Sequence, residues 1–447
     1  MTSMHDHADS RLLRERRATR SAAAGVAFQA VYVIGQFVVM ALLYRELGAE
    51  RFGMWLTIFS LTAWVALSKF GLQYAVYTAL GQTALTDREE AQRVLSNAAV
   101  FVALVCFFIA ALMTAVGPWF PWPAMLNVSG EQAVREASTV SVVALVIAAF
   151  SMPMLMGGHA MQACQRGDIS QTLAMLMQVV MIAGVAFGVW NDWPLAALAA
   201  VIVGPPLIAG LLQWGFGLRA RILPALSLRV VRVATLRRLL AAGILFLALD
   251  LAMLVLLQSA PLLLVQLQSP EAVVPYGAAY RLVGLLIAAF MMVSYAYWPA
   301  YSEAEQRNDT AWVRKGLLRT FLKTLGLWLA GAAVTLAIGR PFIRWWLGEA
   351  AMPDWPTLIA AVVFALMYGL HVMVATPLSG MGRLRPQIIT AAGVIALYLL
   401  CGLPFGMWYG PAGLFTAQAI AAALGAVMNG LFLIRVLRSR QQEGVLV

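Results

Sequence analysis

A series of about twelve apolar runs constrains the fold of this chain more than any other feature. A helix needs roughly 20 apolar residues to cross a hydrocarbon core of about 30 Å. Only 11% of the residues are charged and the mean hydropathy is +0.81, which excludes an ordinary soluble protein. The runs are 22–44, 52–80, 96–117, 137–161, 170–190, 194–216, 239–265, 274–300, 317–339, 356–378, 387–408 and 411–434. They predict an all-α integral membrane protein with about twelve spans.

The second run, 52–80, and the seventh, 239–265, are longer than a single crossing requires. The extra length leaves room for a break or an additional interfacial turn in each.

The basic residues predict the orientation in the membrane. When the loops are assigned alternately to the two sides, 24 of the 31 lysines and arginines fall on the side that carries both termini. Positively charged loops remain in the cytoplasm, and tryptophans at the opposite helix ends form an aromatic belt. We therefore expect a multi-pass protein of the bacterial cytoplasmic (inner) membrane with both termini cytoplasmic, and no nucleic-acid partner.

A basic segment in the middle of the chain predicts two halves. Six arginines lie between Arg219 and Arg238, and no acidic residue occurs from 218 to 249. The segment is either a cytoplasmic stop between helices or a surface that lies on anionic lipid headgroups. The predicted organisation is a basic N-tail (1–21), a six-helix bundle (22–216), a basic linker (217–238), a second six-helix bundle (239–434) and a C-tail (435–447).

Arg319 and Lys323 belong to a basic cluster at the start of the run 317–339, and three further charged residues interrupt the apolar runs: Lys69, Asp250 and Arg281. Such charges are costly in lipid and normally face a polar interior or a solute path. Asp250 could form a structural pair with Lys69 or with Arg281, but either pair leaves one cation that needs an anionic partner. Arginine suits phosphate because its guanidinium binds in a bidentate manner. The pattern predicts a cavity for an anionic solute, with Asp250 as a candidate for coupling to H⁺ or Na⁺.

Polar side chains recur at helical spacing in the first two runs. They form one stripe in each predicted helix, which is either part of the solute path or a hydrogen-bonded seam between helices. The members are Gln29, Tyr32 and Gln36 in the first run, and Thr62, Lys69, Gln73 and Tyr77 in the second. Of the two histidines inside runs, His159 is predicted near the interface, and His371 is either a core residue or a proton relay.

No enzyme motif is recognisable in the sequence. Glu303 and Glu305 lie beside basic residues without a partner histidine, and there is no nucleotide-binding glycine loop, zinc motif or serine elbow. The three cysteines have no metal-ligand spacing. We expect no cofactor and no enzymatic activity. A membrane glycan polymerase or ligase is a weaker alternative, because no loop is long enough to carry a catalytic domain.

Two short segments resemble a known transporter family. Residues 42–82 contain Leu47, Gly48, Phe52, Gly53, Phe70, Gly71 and Leu72, and residues 275–286 contain Tyr276, Gly277, Tyr280 and Arg281. This pattern is similar to that of the polysaccharide exporters, the O-antigen-type flippases of the multidrug/oligosaccharidyl-lipid/polysaccharide (MOP) superfamily. Lys69 departs from the family pattern, since many relatives carry aspartate there.

The resemblance implies a V-shaped transporter of two six-helix bundles related by pseudo-two-fold symmetry. It would move an undecaprenyl-pyrophosphate-linked oligosaccharide to the outer leaflet, with a polysaccharide polymerase and a chain-length regulator as possible partners. Lys69 and Arg281 would contact the pyrophosphate, and Gln29, Gln36, Gln73, Tyr77 and Tyr280 would line the path of the sugar. The alternative within the superfamily is a cation-coupled drug antiporter, whose cationic substrates favour acidic cavities.

Overall fold

The protein is almost entirely helical. The computed structural model describes the backbone of residues 2–83, 87–307 and 309–443, and their side chains except at 2–19, 22, 83, 295, 296, 299, 310 and 439–443. Helix accounts for 89% of the described structure, and no strand occurs in the described ranges. The helices are α1 (Thr2–Trp64), α2 (Leu72–Thr83), α3 (Arg88–Val116), α4 (Trp122–Met125), α5 (Glu131–Ala163), α6 (Gly167–Trp190), α7 (Leu195–Val203), α8 (Pro205–Arg219), α9 (Val233–Gln258), α10 (Ala260–Leu267), α11 (Val273–Ala296), α12 (Trp298–Gln306), α13 (Thr310–Leu347), α14 (Trp355–Gly380) and α15 (Leu384–Glu443).

Ten segments of the described chain are long and apolar enough to cross a membrane. Two of them are far longer than a crossing, at 47 residues (Ala23–Lys69) and 55 residues (Leu384–Arg438). Each contains a glycine with non-helical backbone angles, Gly48 at φ 71° and Gly410 at φ 54°. Because only glycine adopts such angles without strain, each long segment divides there into two helices. The predicted all-α membrane fold is confirmed, and the ten segments accommodate the twelve predicted crossings.

The break expected in the second run lies at Lys69. Val65–Lys69 is a turn of 3-10 helix, Phe70 and Gly71 have positive φ angles of 51° and 68°, and α2 starts at Leu72. The spacing predicted for Thr62, Lys69, Gln73 and Tyr77 is therefore interrupted. The single helical stripe is wrong, because two residues with left-handed backbone rotate α2 away from the preceding turn.

The break expected in the seventh run lies at Ser259, between α9 and α10. Pro261 has no amide hydrogen to donate to the preceding turn, so carbonyl groups near the break need other donors. The Ser259 hydroxyl donates to the Val255 carbonyl at 2.5 Å, and the amide of Gln418 donates to the Leu256 carbonyl at 2.6 Å. Side chains thus satisfy backbone groups that water cannot reach inside a membrane.

Three long helices begin at an aspartate. Asp87, Asp309 and Asp354 each accept a hydrogen bond from the backbone amide three residues later, at 2.8 to 3.0 Å. A side-chain acceptor at this position satisfies one of the four unpaired amides of a first helical turn. The capping residues fix where α3, α13 and α14 start.

The chain divides into two compact units. Unit 1 comprises Met1–Glu46, Leu61–Ala124 and Ser129–Leu247, and unit 2 comprises Leu47–Ser60, Met125–Val128 and Ala248–Val447. The core of unit 1 includes buried residues of α2, α3, α5 and α8, whereas the four fully buried tyrosines of unit 2 lie on α11, α12, α14 and α15. The predicted bundle boundaries, the orientation and the cellular location stay predictions, and the side chains of the predicted N-tail before Arg20, and Arg440, lie outside the described residues.

The segment between α8 and α9 is held against α3 within unit 1. Arg88 and Gln92 donate to the carbonyls of Arg221 and Ala225, at 3.1 and 2.8 Å. Asn97 is buried; its amide donates to the Val230 carbonyl at 3.2 Å and its oxygen accepts from the Arg232 amide at 2.8 Å. The linker main chain is therefore fixed, while its arginine side chains are exposed.

Candidate functional site

The predicted site residues fall into both units. Unit 1 contains Gln29, Gln36, Lys69, Gln73 and Tyr77, and unit 2 contains Asp250, Tyr280 and Arg281. The surroundings of each group follow from the contacts within its own unit.

Lys69 is half-buried and lies beside other polar groups of unit 1. Its neighbour Ser68 is buried and lies 3.2 Å from the thiol of Cys106 on α3. The charge of Lys69 acts on Cys106 and also on His159 of α5. His159 is thus an electrostatic neighbour of Lys69 in unit 1, a proximity that the sequence separation of 90 positions concealed.

The other predicted residues of unit 1 differ in exposure. Gln29 and Gln36 of α1 are half-buried. Gln73 is buried near the start of α2, whereas Tyr77, one turn later, is 51% exposed. Gln73 is packed as in a helix seam, and Tyr77 projects from the unit.

Two glycines of the family-like motif, Gly53 and Gly71, are positions of close backbone approach. A Cβ atom on Gly53 would lie 2.5 Å from the carbonyl carbon of Pro270 in unit 2, and closer still to its oxygen. A Cβ atom on Gly71 would lie 2.9 Å from the carbonyl carbon of Gly243 in unit 1. Only a residue without a side chain fits such contacts. These motif residues have structural roles, one in each unit.

Arg281 is half-buried on α11 and has no carboxylate partner in the described part of the chain. None of the ion pairs among the described residues includes it, so the possible Arg281–Asp250 pair is not formed. One turn along the helix, a Cβ atom on Gly284 would meet no atom within 4 Å, and Leu285 is exposed. The Arg281 face of α11 is therefore open within unit 2.

Asp250 and Tyr280 both have partners in the structure. Asp250 is half-buried on α9 and takes part in at least one polar or electrostatic interaction. Tyr280, next to Arg281, lies parallel to Tyr276 with ring centroids 6.0 Å apart. Tyr276 is buried and stacks on Phe415 at 4.4 Å. An aromatic column thus supports the helical turn that carries Arg281.

His371 is a packed residue of unit 2. Its ring lies against α15, where a Cβ atom on Gly425 would meet its Cε1 atom at 2.7 Å. Its Nδ1 atom is buried and has no hydrogen-bond partner among the described residues. This tight packing is the arrangement expected for a core histidine.

Sequence reasoning missed several buried amides. Gln418 is fully buried, and in addition to the Leu256 carbonyl it exchanges hydrogen bonds of 3.1 and 3.2 Å with the Tyr276 hydroxyl. In unit 1, Gln213 of α8 donates to the carbonyl of Ser170 at 3.0 Å. The available signal was the same in each case, an amide side chain within an apolar run.

Solved structures with the same fold are transporters. An inward-facing multidrug-resistance MATE family transporter of the MOP superfamily aligns with a TM-score of 0.76 and 14% identity, over 94% of this chain and 99% of that chain. The lipid II flippase MurJ, in an inward closed conformation, aligns with a TM-score of 0.71 and 14% identity, over 93% of this chain and 87% of that chain. The chain has the fold of MOP-superfamily transporters.

Another match has an unusual binding pocket. It is a MOP superfamily transporter from Pyrococcus furiosus, with a TM-score of 0.67 and 15% identity over 96% of this chain and 97% of that chain. The binding pocket of that transporter has reverse polarity, which suggests that the transporter has a different function. The sequence matches no protein-family model and no curated protein. The structural matches show the fold, and the resemblance to the polysaccharide exporters stays a prediction.

Proposed function

We propose that this protein is a flippase. It moves a polyprenyl-pyrophosphate-linked oligosaccharide across the bacterial cytoplasmic membrane by alternating access, and so serves surface polysaccharide biosynthesis. The MOP-superfamily fold supports a transporter, and one of the aligned proteins is a lipid II flippase. The observation that carries the choice of substrate is Arg281, a half-buried cation without a carboxylate partner among the described residues.

The chemistry of arginine connects this observation to a phosphate group. On insertion scales an arginine costs about 2.5–3.5 kcal/mol at the centre of a membrane helix and less toward its ends, and it does not lose its proton. A cation kept at this cost without a protein carboxylate requires an anion or water. A pyrophosphate presents oxygen atoms that accept the parallel N–H donors of a guanidinium.

The remaining site residues have complementary roles in this proposal. Lys69 supplies a second positive charge, and Gln29, Gln36, Gln73, Tyr77 and Tyr280 offer hydrogen bonds and ring faces to sugar hydroxyls. Asp250 can change its charge between conformations and so couple transport to H⁺ or Na⁺. A polysaccharide polymerase and a chain-length regulator would receive the exported repeat unit.

Drug extrusion is the competing proposal, since one aligned structure is that of a multidrug-resistance transporter. Cationic drugs require acidic binding groups. Two of the three charged residues identified inside the apolar runs are Lys69 and Arg281, which are basic. The charge balance therefore favours an anionic substrate.

Translocation in proteoliposomes tests the proposal. Purified protein is reconstituted with a fluorescent oligosaccharide linked to polyprenyl pyrophosphate, and transfer between leaflets is measured by quenching with a membrane-impermeant reagent. We expect transfer by the wild type, loss of at least tenfold in Arg281→Ala, and partial activity in Arg281→Lys, because lysine retains the charge but not the bidentate geometry.

Arg45→Ala is the matched control, because Arg45 is exposed and its removal also deletes one positive charge. It should retain wild-type activity. Equal activity of Arg281→Ala and wild type would refute the assignment of Arg281. Efflux of a cationic dye without transfer of the lipid-linked sugar would show that the protein is a drug antiporter and not a flippase.

A further inference from the structure

A groove at one end of unit 2 combines an apolar wall with two arginines. It has a volume of about 500 Å³ and is formed by α13, α14 and α15. Arg314 of α13 and Arg438 of α15 line it, together with the apolar side chains of Leu318, Phe321, Met373 and Ile434. None of these residues belongs to the proposed transport site.

The two arginines stand at the same end of the groove. Val313 and Leu437, their respective neighbours, belong to one buried cluster, so the start of α13 lies beside the end of α15. Leu318 follows Arg314 by about one helical turn, and Ile434 precedes Arg438 by the same distance. The two arginines thus form a positively charged mouth at one end of the groove, whose apolar wall lies between antiparallel helices.

Both arginine side chains are exposed, and Leu318 is 58% exposed. Arg314 also has a polar or ring contact of its own. A guanidinium has five N–H donors, so that contact leaves donors for a further anion. Exposed leucine beside exposed arginine is typical of a surface that meets both headgroups and acyl chains.

A second groove in unit 2 provides an internal comparison. It has a volume of about 460 Å³, and its lining, which includes Ile359, Val363 and Ile420, contains no charged residue. Such a groove accommodates any acyl chain without regard to the headgroup. The groove at Arg314 and Arg438 differs in having two positive charges at its mouth, and this charge complementarity selects an anion.

We infer that the groove binds an acidic glycerophospholipid. The phosphate lies between Arg314 and Arg438, and one acyl chain lies along Leu318, Phe321 and Ile434. Anionic headgroups attract basic side chains at a membrane surface, and the apolar wall adds affinity for the chain that a free phosphate lacks. The ligand is a structural or regulatory lipid, separate from the transported substrate.

Lipid binding to the full-length, detergent-purified protein tests the inference. Dioleoyl phosphatidylglycerol and dioleoyl phosphatidylcholine are titrated, and bound lipid is counted by native mass spectrometry. We expect phosphatidylglycerol to bind more tightly. The double variant R314Q/R438Q should weaken its binding about 30-fold, the factor expected for two basic residues near an anionic lipid. Ile434→Trp, which fills the groove and preserves the charge, should also weaken binding.

The double variant K315Q/R319Q is the matched control, because it removes two exposed positive charges from the same helix without changing the groove lining. It should bind phosphatidylglycerol as the wild type does. Equal weakening in this control would show diffuse surface attraction and overturn the site. Three results would each overturn the assigned ligand. They are binding of phosphatidylcholine as tight as that of phosphatidylglycerol, occupation of the groove by inorganic phosphate alone, and binding of polyprenyl pyrophosphate in place of phosphatidylglycerol.

Discussion

Replacing Gly53 by alanine should destabilise the protein, although alanine is a better helix former than glycine. The new Cβ atom would lie 2.5 Å from the Pro270 carbonyl carbon. Carbon atoms in contact are normally about 3.5–4.0 Å apart, so the two backbone segments must separate by at least about 1 Å. Overpacking of this kind costs about 3 kcal/mol at the upper end of its usual range, and the gain in helix propensity offsets about 1 kcal/mol. The net loss is about 2 kcal/mol.

The midpoint of thermal unfolding of the purified protein measures this effect. A loss of about 2 kcal/mol corresponds to a decrease of about 4–8 °C for a unit of about 200 residues. Gly25→Ala is the matched control, because Gly25 is also a helical glycine and its Cβ atom would meet no atom within 4 Å. That variant should be neutral or slightly more stable. The reasoning is refuted if Gly53→Ala melts at or above the wild-type temperature, or if both variants lose the same amount.

Two further substitutions test buried hydrogen bonds. Gln418→Leu leaves the Leu256 carbonyl and the Tyr276 hydroxyl without this partner and should cost about 2–4 kcal/mol, whereas Tyr276→Phe should cost about 1 kcal/mol. Thermal unfolding of both variants and of the double variant checks this, and a Gln418→Leu protein as stable as Tyr276→Phe would contradict it. Asn97→Ala removes the acceptor of the Arg232 amide and should speed tryptic cleavage at the exposed linker arginines several-fold. Unchanged cleavage would show that Asn97 does not hold the linker.

The membrane fold was predictable because the length of each apolar run is set by the bilayer. The same reasoning indicated a break in the long runs 52–80 and 239–265, whereas the division of the equally long run 274–300 between α11 and α12 was not predicted. The details of each break were not predictable. The break at Lys69 depends on the positive φ angles of Phe70 and Gly71, and the break at Ser259 depends on Gln418, 159 positions away in sequence.

The candidate site was predictable only at the level of single residues. A charge within an apolar run identified Arg281, but its lack of a carboxylate partner among the described residues depends on which faces of the helices meet. Gln73 and Tyr77 show the same limit, because one is buried and the other is 51% exposed although they are four residues apart. The groove is lined by Arg314 and Arg438, which lie more than a hundred positions apart in the sequence. No local sequence pattern therefore marks it.

The hydrogen bonds between α3 and the α8–α9 linker place different requirements on the backbone and on the side chains of the linker. Arg88, Gln92 and Asn97 form hydrogen bonds with backbone groups of the linker, so the identities of the linker side chains matter little. A proline at position 232, however, would remove the backbone amide that donates to Asn97. The linker can therefore exchange surface residues freely while its path stays the same. This makes it a suitable place for a reporter dye on an engineered cysteine, with the neighbouring helix face left untouched.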